Sequence, residues 1–454
     1  MLGKTKKIHF VGIGGIGMSG IAELLLNQGF EISGSDLLSS EIIAHLIKKG
    51  ATISVGHNAS LIENVDVVVK SSAVKDNNPE ISAAFAKKIP VIRRAEMLSE
   101  IMRMSYGIGI AGTHGKTSTT SMIGSVLSAA KLEPTVIVGG IVKNYGSNNL
   151  LGSGKYIVVE ADEFDRSFLT LSPIIAGITN IEADHLDCYS DLDGIKKAFI
   201  QYANKVPFFG SVIACLDDSG IQSILSQVKK EIVTYGFSRQ ANVRAENIVM
   251  KDFKSSFVVL FKGQILGKIE LNVMGKHNIL NSLLAVATGL ELDIDFSDIQ
   301  KGLFEYNGVF RRFEFKGEKD GIIVYDDYAH HPTEIEATLK GIKDSSNRRI
   351  ITVFQPHLYS RTKDFYEEFG RSFFHSDVLL ITPIYPAREK PIPGITGKLI
   401  ADAAIQSGHK SVKYIHSNEK IIEKIKQEAR EGDIVITMGA GNIYIYGENF
   451  LIEK

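Results

Sequence analysis

At 454 residues, 44% of them apolar, the chain is longer than one hydrophobic core usually holds, and about three domains is the natural expectation. Fifty-one Lys+Arg stand against 52 Asp+Glu with no long run of one sign, which excludes the charge footprint of a nucleic-acid binder or of a protein that inserts into an anionic membrane. Two cysteines, Cys188 and Cys215, exclude a disulfide framework and fit a reduced, cytoplasmic compartment; Cys188, three residues after His185, reads as a small buried residue and not as part of a zinc site.

The opening Lys4-Thr-Lys-Lys7 and the apolar stretch behind it faintly mimic a signal peptide. Glycines at 12, 14, 15, 17 and 20, with Ser19 and Glu23, interrupt that stretch, and no other segment approaches membrane-spanning length. A strand at 8–11 runs into Gly12-Ile-Gly14-Gly15-Ile16-Gly17 and a helix at 16–28. Asp36 follows nineteen residues beyond Gly17, after a strand at 31–33. This is a dinucleotide fingerprint: glycines allow a tight turn and close approach of a pyrophosphate, and the acidic residue accepts a ribose hydroxyl. Any nucleotide diphosphate satisfies it, and three glycines at a helix start also serve close packing. Strands at 52–55, 65–69 and 91–92 complete a first unit, 1–105.

A second unit, 106–312, begins with Gly109-Ile-Ala-Gly112-Thr113-His114-Gly115-Lys116-Thr117, a hydrophobic strand entering a glycine turn that Lys-Thr closes. Backbone N–H groups of such a turn converge on phosphate oxygens, Lys116 bridges the terminal phosphates and the Thr117 hydroxyl ligates Mg²⁺. A helix at 117–132 sets the phosphates at its positive end. Ile110 occupies the place of the first glycine in the strict phosphate-loop pattern. A strand at 156–159 delivers Glu160-Ala-Asp162-Glu163, and one at 174–179 leads to Glu182, Asp184 and His185. These carboxylates are either solvated loops or oxygen ligands beside the phosphates, with Glu160 and Thr117 on one Mg²⁺ and His185 open as a second-ion ligand or a loop residue. Residues 241–273 alternate apolar and polar, as an antiparallel insertion or a sheet face does. The third unit, 313–454, carries strands at 322–325, 349–354, 378–382 and 433–437 and a helix at 333–343. The rhythm predicts an α/β protein of three domains: a Rossmann-like parallel sheet, a central phosphate-loop ATPase domain and a second Rossmann-like domain.

Gly112-Thr-His-Gly-Lys-Thr-Ser118, Glu160-Ala-Asp-Glu163, Thr179-Asn-Ile-Glu-Ala-Asp-His-Leu-Asp187, Gly275-Lys-His-Asn278, Gly308-Val-Phe-Arg-Arg-Phe313, Asp326-Asp-Tyr-Ala-His-His-Pro332 and Gln355-Pro-His357 together resemble the Mur ligases of peptidoglycan precursor synthesis, in the family's order over essentially the whole chain. Gly12–Met18, Ser33-Gly-Ser-Asp36, Arg94-Ala-Glu-Met-Leu98 and the Asp326–Pro332 segment are the most specific marks. The resemblance implies ATP-dependent joining of L-alanine to the lactyl carboxylate of UDP-N-acetylmuramate through an acyl phosphate, with one Mg²⁺ or two.

It implies that Lys116, Glu160 and His185 are catalytic and that Thr117, Glu160 and His185 hold the metal. Gly112, Thr113, His114, Gly115, Lys116, Thr117, Ser118, His277, Asn278, Asn281, Arg312, Asp326 and Asp327 would bind ATP. Gly14, Gly15, Ile16, Gly17, Asp36, Ser71, Ser72 and Arg94 would bind the uridine substrate. An alanine carboxylate needs a cation in the third unit: His357 and Arg361 share a face if a helix begins after Gln355-Pro356, where Arg361 can fork onto it while Tyr328, His330 and His357 shape a pocket for the methyl group, the other reading being that Arg361 is a surface residue. Several sister ligases carry a carbamylated lysine about fifteen residues after the metal-site histidine; Ile200 stands there, so no such lysine is expected. Three alternatives stay open: a recycling ligase attaching a preformed peptide, an NAD-dependent oxidoreductase, which leaves Lys116 and Glu160 idle, and a non-catalytic nucleotide switch. Oligomeric state is not legible.

Overall fold

Apolar runs punctuated by glycine turns fold here as parallel strands buried between helices, the arrangement that strand–helix–strand crossovers dictate. The computed structural model describes residues 4–453 except 184–188, 190 and 388. Its first sheet has the order β3-β2-β1-β4-β5 and is built from β1 (Lys7–Val11), β2 (Glu31–Asp36), β3 (Thr52–Val55), β4 (Val67–Lys70) and β5 (Val91–Arg93). Helices α1 (Ile16–Asn27), α2 (Glu41–Lys48) and α3 (Pro79–Ala86) lie between these strands in sequence, and α4 (Arg94–Arg103) follows β5. Local chemistry starts them: the Ser40 side chain accepts from Ile43 N at 3.3 Å ahead of α2, and Asn78 followed by Pro79 opens α3. The strand order reverses at β1, so the crevice at the carboxyl ends of β1 and β4 is where such a sheet takes a ligand.

The second sheet runs β15-β14-β13-β12-β11-β10-β6-β9-β7-β8. Its strands are β6 (Tyr106–Ala111), β7 (Thr135–Val142), β8 (Ser147–Leu150), β9 (Tyr156–Glu160), β10 (Ile175–Ile178), β11 (Ser211–Cys215), β12 (Glu231–Gly236), β13 (Val243–Lys251), β14 (Lys254–Phe261) and β15 (Gln264–Leu271). The helices are α5 (Lys116–Ala129), α6 (Leu192–Asn204), the single turn α7 (Ser219–Gln222), α8 (Lys276–Glu291) and α9 (Phe296–Glu305). Two-residue turns join β13 to β14 and β14 to β15, too short for a parallel crossover, so the alternating segment is an antiparallel edge of this sheet. Helix α5 starts one residue before the expected 117 and stops at 129. Gly302 lets α9 lie on α5: a Cβ there would meet Val126 Cα at 2.5 Å.

The third sheet has the order β16-β17-β21-β18-β19-β20 and consists of β16 (Glu314–Lys319), β17 (Ile322–Asp327), β18 (Ile350–Phe354), β19 (Val378–Ile381), β20 (Val412–Tyr414) and β21 (Ile434–Met438). Interspersed are α10 (Pro332–Ser345), α11 (Tyr359–Ser372), α12 (Gly397–Gln406), α13 (Ile421–Glu428) and α14 (Tyr444–Ile452). Packing divides the chain into two compact units: Met1–Asn247, Phe257–Ile269 and Leu280–Asn307 form one, and Ile248–Ser256, Glu270–Ile279 and Gly308–Lys454 the other. Met274 belongs to the buried core of the second unit with Tyr325, Phe354, Phe369 and Phe373, and Phe253 packs against it. Among the described residues no helix is long and apolar enough to cross a membrane.

Candidate active site

The central strand β6 ends in the phosphate turn, and its two neighbours end beside it: β9 delivers Glu160, and β10 runs into Thr179 and Asn180. Gly112 (φ +138°) and Gly115 (φ +82°) take left-handed backbone, and a Cβ on Gly112 would strike Thr179 Oγ1 at 1.9 Å. The turn is braced from β10: His114 N donates to Asn180 Oδ1 at 2.8 Å, and Thr179 Oγ1 donates to His114 O at 2.6 Å. Glu182 N donates to Thr113 Oγ1 at 2.9 Å. Lys116, the first residue of α5, curls back so that Nζ donates to Gly112 O at 2.7 Å and to Glu163 at 2.8 and 3.0 Å. Burial disfavours the Lys116 charge, but the carboxylates of Glu163, Asp162 and Glu160 outweigh it and hold the ammonium above the ordinary lysine range.

Thr117 Oγ1 donates to Glu160, whose other oxygen accepts from Gly139 N. Burial raises the Glu160 carboxyl above its usual range despite those two donors and Lys116. A carboxylate and a hydroxyl converging in a desolvated pocket form an oxygen donor set that suits a hard cation, which would supply the charge burial removes. His185 lies outside the described residues, as does Cys188. Ile200 sits on α6. Asn281 borders the turn, its Oδ1 2.6 Å from where a Cβ of Gly115 would stand; Ser118 is in the first turn of α5.

At the first sheet, Gly14 N donates to Asp36 Oδ2 at 2.8 Å, and Asp36 Oδ1 accepts from Leu37 N at 2.7 Å, so this aspartate braces the glycine turn itself. Gly15 caps α1, of which Ile16 is the first residue. Ser71 follows β4 and abuts Gly12, where a Cβ would meet Ser71 Cβ at 3.1 Å. Arg94, at the start of α4, lies against Gly17, its Nη1 3.0 Å from a Cβ there. Ser72 is exposed beside Ser71. The glycine turn, Ser71 and Arg94 thus meet at the carboxyl ends of β1 and β4.

In the second unit, Asp326 and Asp327 end β17 and are buried. Asp326 accepts from Arg311 Nε at 2.9 Å and Thr437 Oγ1 at 2.7 Å; Asp327 accepts from Ala329 N at 2.7 Å and Phe313 N at 2.9 Å. Burial pushes the Asp327 carboxyl up to about 6. Arg312 pairs with Glu334 at 3.2 Å and lies over the Tyr328 ring. His277 is held down to about 4 by burial and by Arg312, and its Nε2 is 3.1 Å from Asn278 Nδ2. The rings of Tyr328 and His330 are 5.3 Å apart, those of His330 and His357 6.0 Å. Burial, with Arg361 nearby, holds His330 down to about 3 and His357 to about 4. The four residues expected around an amino acid therefore gather, but not through one helical face. Helix α11 begins at Tyr359, two residues after His357, and Leu358 between them takes φ +72°, a conformation costing about 1–3 kcal/mol in a non-glycine residue. Buried Arg361 is the third residue of the helix.

Several residues that shape these sites were not singled out from sequence. Glu163 and Asn180 lie within quoted motifs, and their position at strand ends was the available signal. Glu334 and Glu389 carried none: Glu334 takes Arg312, and Glu389 caps α11 by accepting from Tyr359 N at 2.6 Å and Ser360 N at 3.0 Å.

Three family models cover most of the chain: the Mur ligase family catalytic domain matches residues 7–106, the Mur ligase middle domain 110–289, and the Mur ligase glutamate ligase domain 311–441. The sequence is 51% identical to UDP-N-acetylmuramate–L-alanine ligase of Geotalea daltonii over 454 residues, 100% of this chain and 99% of that one. It is also 51% identical to the ligase of the same name from Salinibacter ruber, over 99% of this chain and 95% of the other. Among crystal structures, UDP-N-acetylmuramate-alanine ligase of Thermotoga maritima superimposes with a TM-score of 0.81 at 30% identity, covering 98% of each chain. A murein peptide ligase of Psychrobacter arcticus gives 0.70 at 25% identity, again over 98% of each. On these matches, which span the phosphate turn and all three sheets, the chain belongs to the Mur ligase family.

Proposed function

We propose that the chain joins L-alanine to the lactyl carboxylate of UDP-N-acetylmuramate, consuming ATP, in peptidoglycan precursor synthesis. The observation that carries this is the phosphate turn, with Lys116 and the Thr117–Glu160 pair converging at the end of β6, in a chain alike over its full length to ligases of that name. A carboxylate is too poor an electrophile for an amine. Its oxygen attacks the γ-phosphorus, ADP leaves, and the resulting acyl phosphate takes the alanine amine, which loses a proton as inorganic phosphate departs.

In this reading Lys116 and the N–H groups of residues 112–118 hold the β- and γ-phosphates and offset charge as it develops on them. Mg²⁺, used with ATP across the family, neutralises phosphate charge; Thr117 and Glu160 would hold one ion, with His185 the remaining protein ligand. Glu163 keeps Lys116 aimed into the turn, and Asn281 lines it. Gly14, Gly15, Gly17, Asp36, Ser71, Ser72 and Arg94 are assigned to the uridine diphosphate: the turn admits the pyrophosphate and Arg94 brings a cation to it. In the second unit His277, Asn278 and Arg312 are assigned to the adenine nucleotide, and Asp326 or Asp327 to its ribose side, where they also hold Arg311 and the backbone of Phe313 and Ala329. Arg361 takes the alanine carboxylate; Tyr328 and the neutral rings of His330 and His357 crowd its methyl group.

The test is phosphate release with ATP, Mg²⁺, UDP-N-acetylmuramate and a panel of amino acids and peptides. Release should need both carboxylate and amine and be fastest with L-alanine. A preference for a preformed tripeptide would replace this reading with that of a recycling ligase.

A further inference from the structure

Away from the strand ends, the first sheet buries a polar cluster that the reaction does not call for. Glu80, in the first turn of α3, is wholly buried and accepts four hydrogen bonds. Oε2 takes His9 Nε2 at 2.7 Å and Ser35 Oγ at 2.8 Å; Oε1 takes His57 Nδ1 at 2.9 Å and Asn58 N at 3.2 Å. His9, on β1, is itself buried, with Nδ1 2.8 Å from Ser33 Oγ on β2. One carboxylate thus ties together β1, β2, α3 and the segment after β3. Burial alone would raise it; the His9, Ser35 and His57 bonds reverse that and hold it below the usual range.

What the cluster holds is the floor of the glycine turn. The carbonyl of Ser35 accepts from Gly12 N at 2.8 Å and Ile13 N at 3.1 Å, and the next residue, Asp36, accepts from Gly14 N. On the other side Asp36 O accepts from Gly56 N at 2.7 Å, one residue before His57. The last two residues of β2 are therefore clamped between the turn and the His57–Asn58 segment, and the clamp closes on Glu80. Such a network costs desolvation that a hydrophobic core would avoid, and what it gains is a fixed geometry for the groups it ends on.

We propose that Glu80 is a positioning residue for the uridine substrate: through Ser35, His9, His57 and Asn58 it sets the end of β2, and with it the backbone of Gly12–Gly15 and the Asp36 carboxylate, in the register that receives a nucleoside diphosphate. This rests on the assignment of that turn to UDP-N-acetylmuramate. Steady-state kinetics on the full-length E80Q variant, with each substrate varied in turn, test it. The substitution preserves shape but presents an amide where four donors expect a carboxylate. The KM for UDP-N-acetylmuramate should rise roughly tenfold, the scale that a small misplacement of binding groups carries, while the KM values for ATP and L-alanine and kcat stay within about twofold. A merely structural role predicts instead a loss of active protein that leaves all three KM values alike, and that result, or unaltered kinetics, overturns the proposal. If E80Q fails to fold, S35A carries the test, since it removes one donor only. It should shift the same KM in the same direction by a smaller factor, and an unchanged KM overturns the proposal. G15V separates the two levels: if it leaves UDP-substrate binding intact, the site assignment falls and the Glu80 role with it; if it abolishes binding while E80Q and S35A do nothing, only the Glu80 role falls.

Discussion

In the proposed reading, Lys116 shows most directly how one side chain would be committed to chemistry. Its ammonium is largely shielded, bonded to carbonyls of its own turn and paired with Glu163. Lys116→Ala should fold, since α5 keeps its N-terminus, yet lose on the order of 10²–10³ in ligation rate. Near-normal turnover of a properly folded variant would remove Lys116 from the mechanism. Arg361 makes a sharper claim, because it is buried among rings that burial keeps neutral. Arg361→Ala should raise the KM for L-alanine far more than those for ATP or UDP-N-acetylmuramate; equal changes in all three would mean that it only packs. Lys116, Thr117 and Glu160 were legible in sequence because glycine spacing and strand ends announce them. The Glu80 cluster was not, because its members come from four separated segments with no local pattern.

At the scale of elements, the glycine turns do the placing. A Cβ on Gly15 would meet nothing beyond its chain neighbours nearer than Gly12 O at 3.6 Å, so the fold has room for one there, and in the proposed reading an approaching ligand does not. Gly15→Val should therefore weaken UDP-N-acetylmuramate binding, read by calorimetry, while leaving ATP binding and the melting temperature close to normal. Unchanged affinity for the uridine substrate would count against the assignment. The parallel pairing of most strands followed from apolar runs separated by crossover helices, whereas strand order was not predicted and β7, β8, β11, β12, β16 and β20 were not singled out from sequence. Helix starts were less legible. A spacing of four would set His357 and Arg361 on one face if a helix began after Gln355-Pro356, whereas the Glu389 cap and the left-handed Leu358 begin that helix two residues after His357. Caps supplied from distant loops leave no trace in a local window.

At the scale of the whole molecule, the second unit carries its own acid sensitivity. His277, His330 and His357 titrate near 4, 3 and 4 when folded and near 6.5 when unfolded, while Asp327 titrates near 6 folded against 3.8 unfolded. Between about pH 4 and 6 the unfolded chain thus binds three protons at these groups where the folded one binds a single proton, on Asp327. Stability must fall as pH drops, starting below about 6.5, and the Asp327 proton offsets only part of the loss. Thermal melts from pH 7.5 to 5 should show the midpoint of this unit declining; a flat or rising profile would mean that these imidazoles charge without cost in the fold. The threading of the chain has another consequence. Because 248–256 and 270–279 belong to the compact unit built mainly from 308–454, that unit is discontinuous in the gene. A fragment 313–454 leaves behind Met274 and Phe253, part of its own core, and should lack cooperative unfolding by near-ultraviolet circular dichroism. Chimaeras between relatives that cross over once near codon 313 will pair mismatched core segments; only those that exchange all three pieces together should inherit one parent's packing intact.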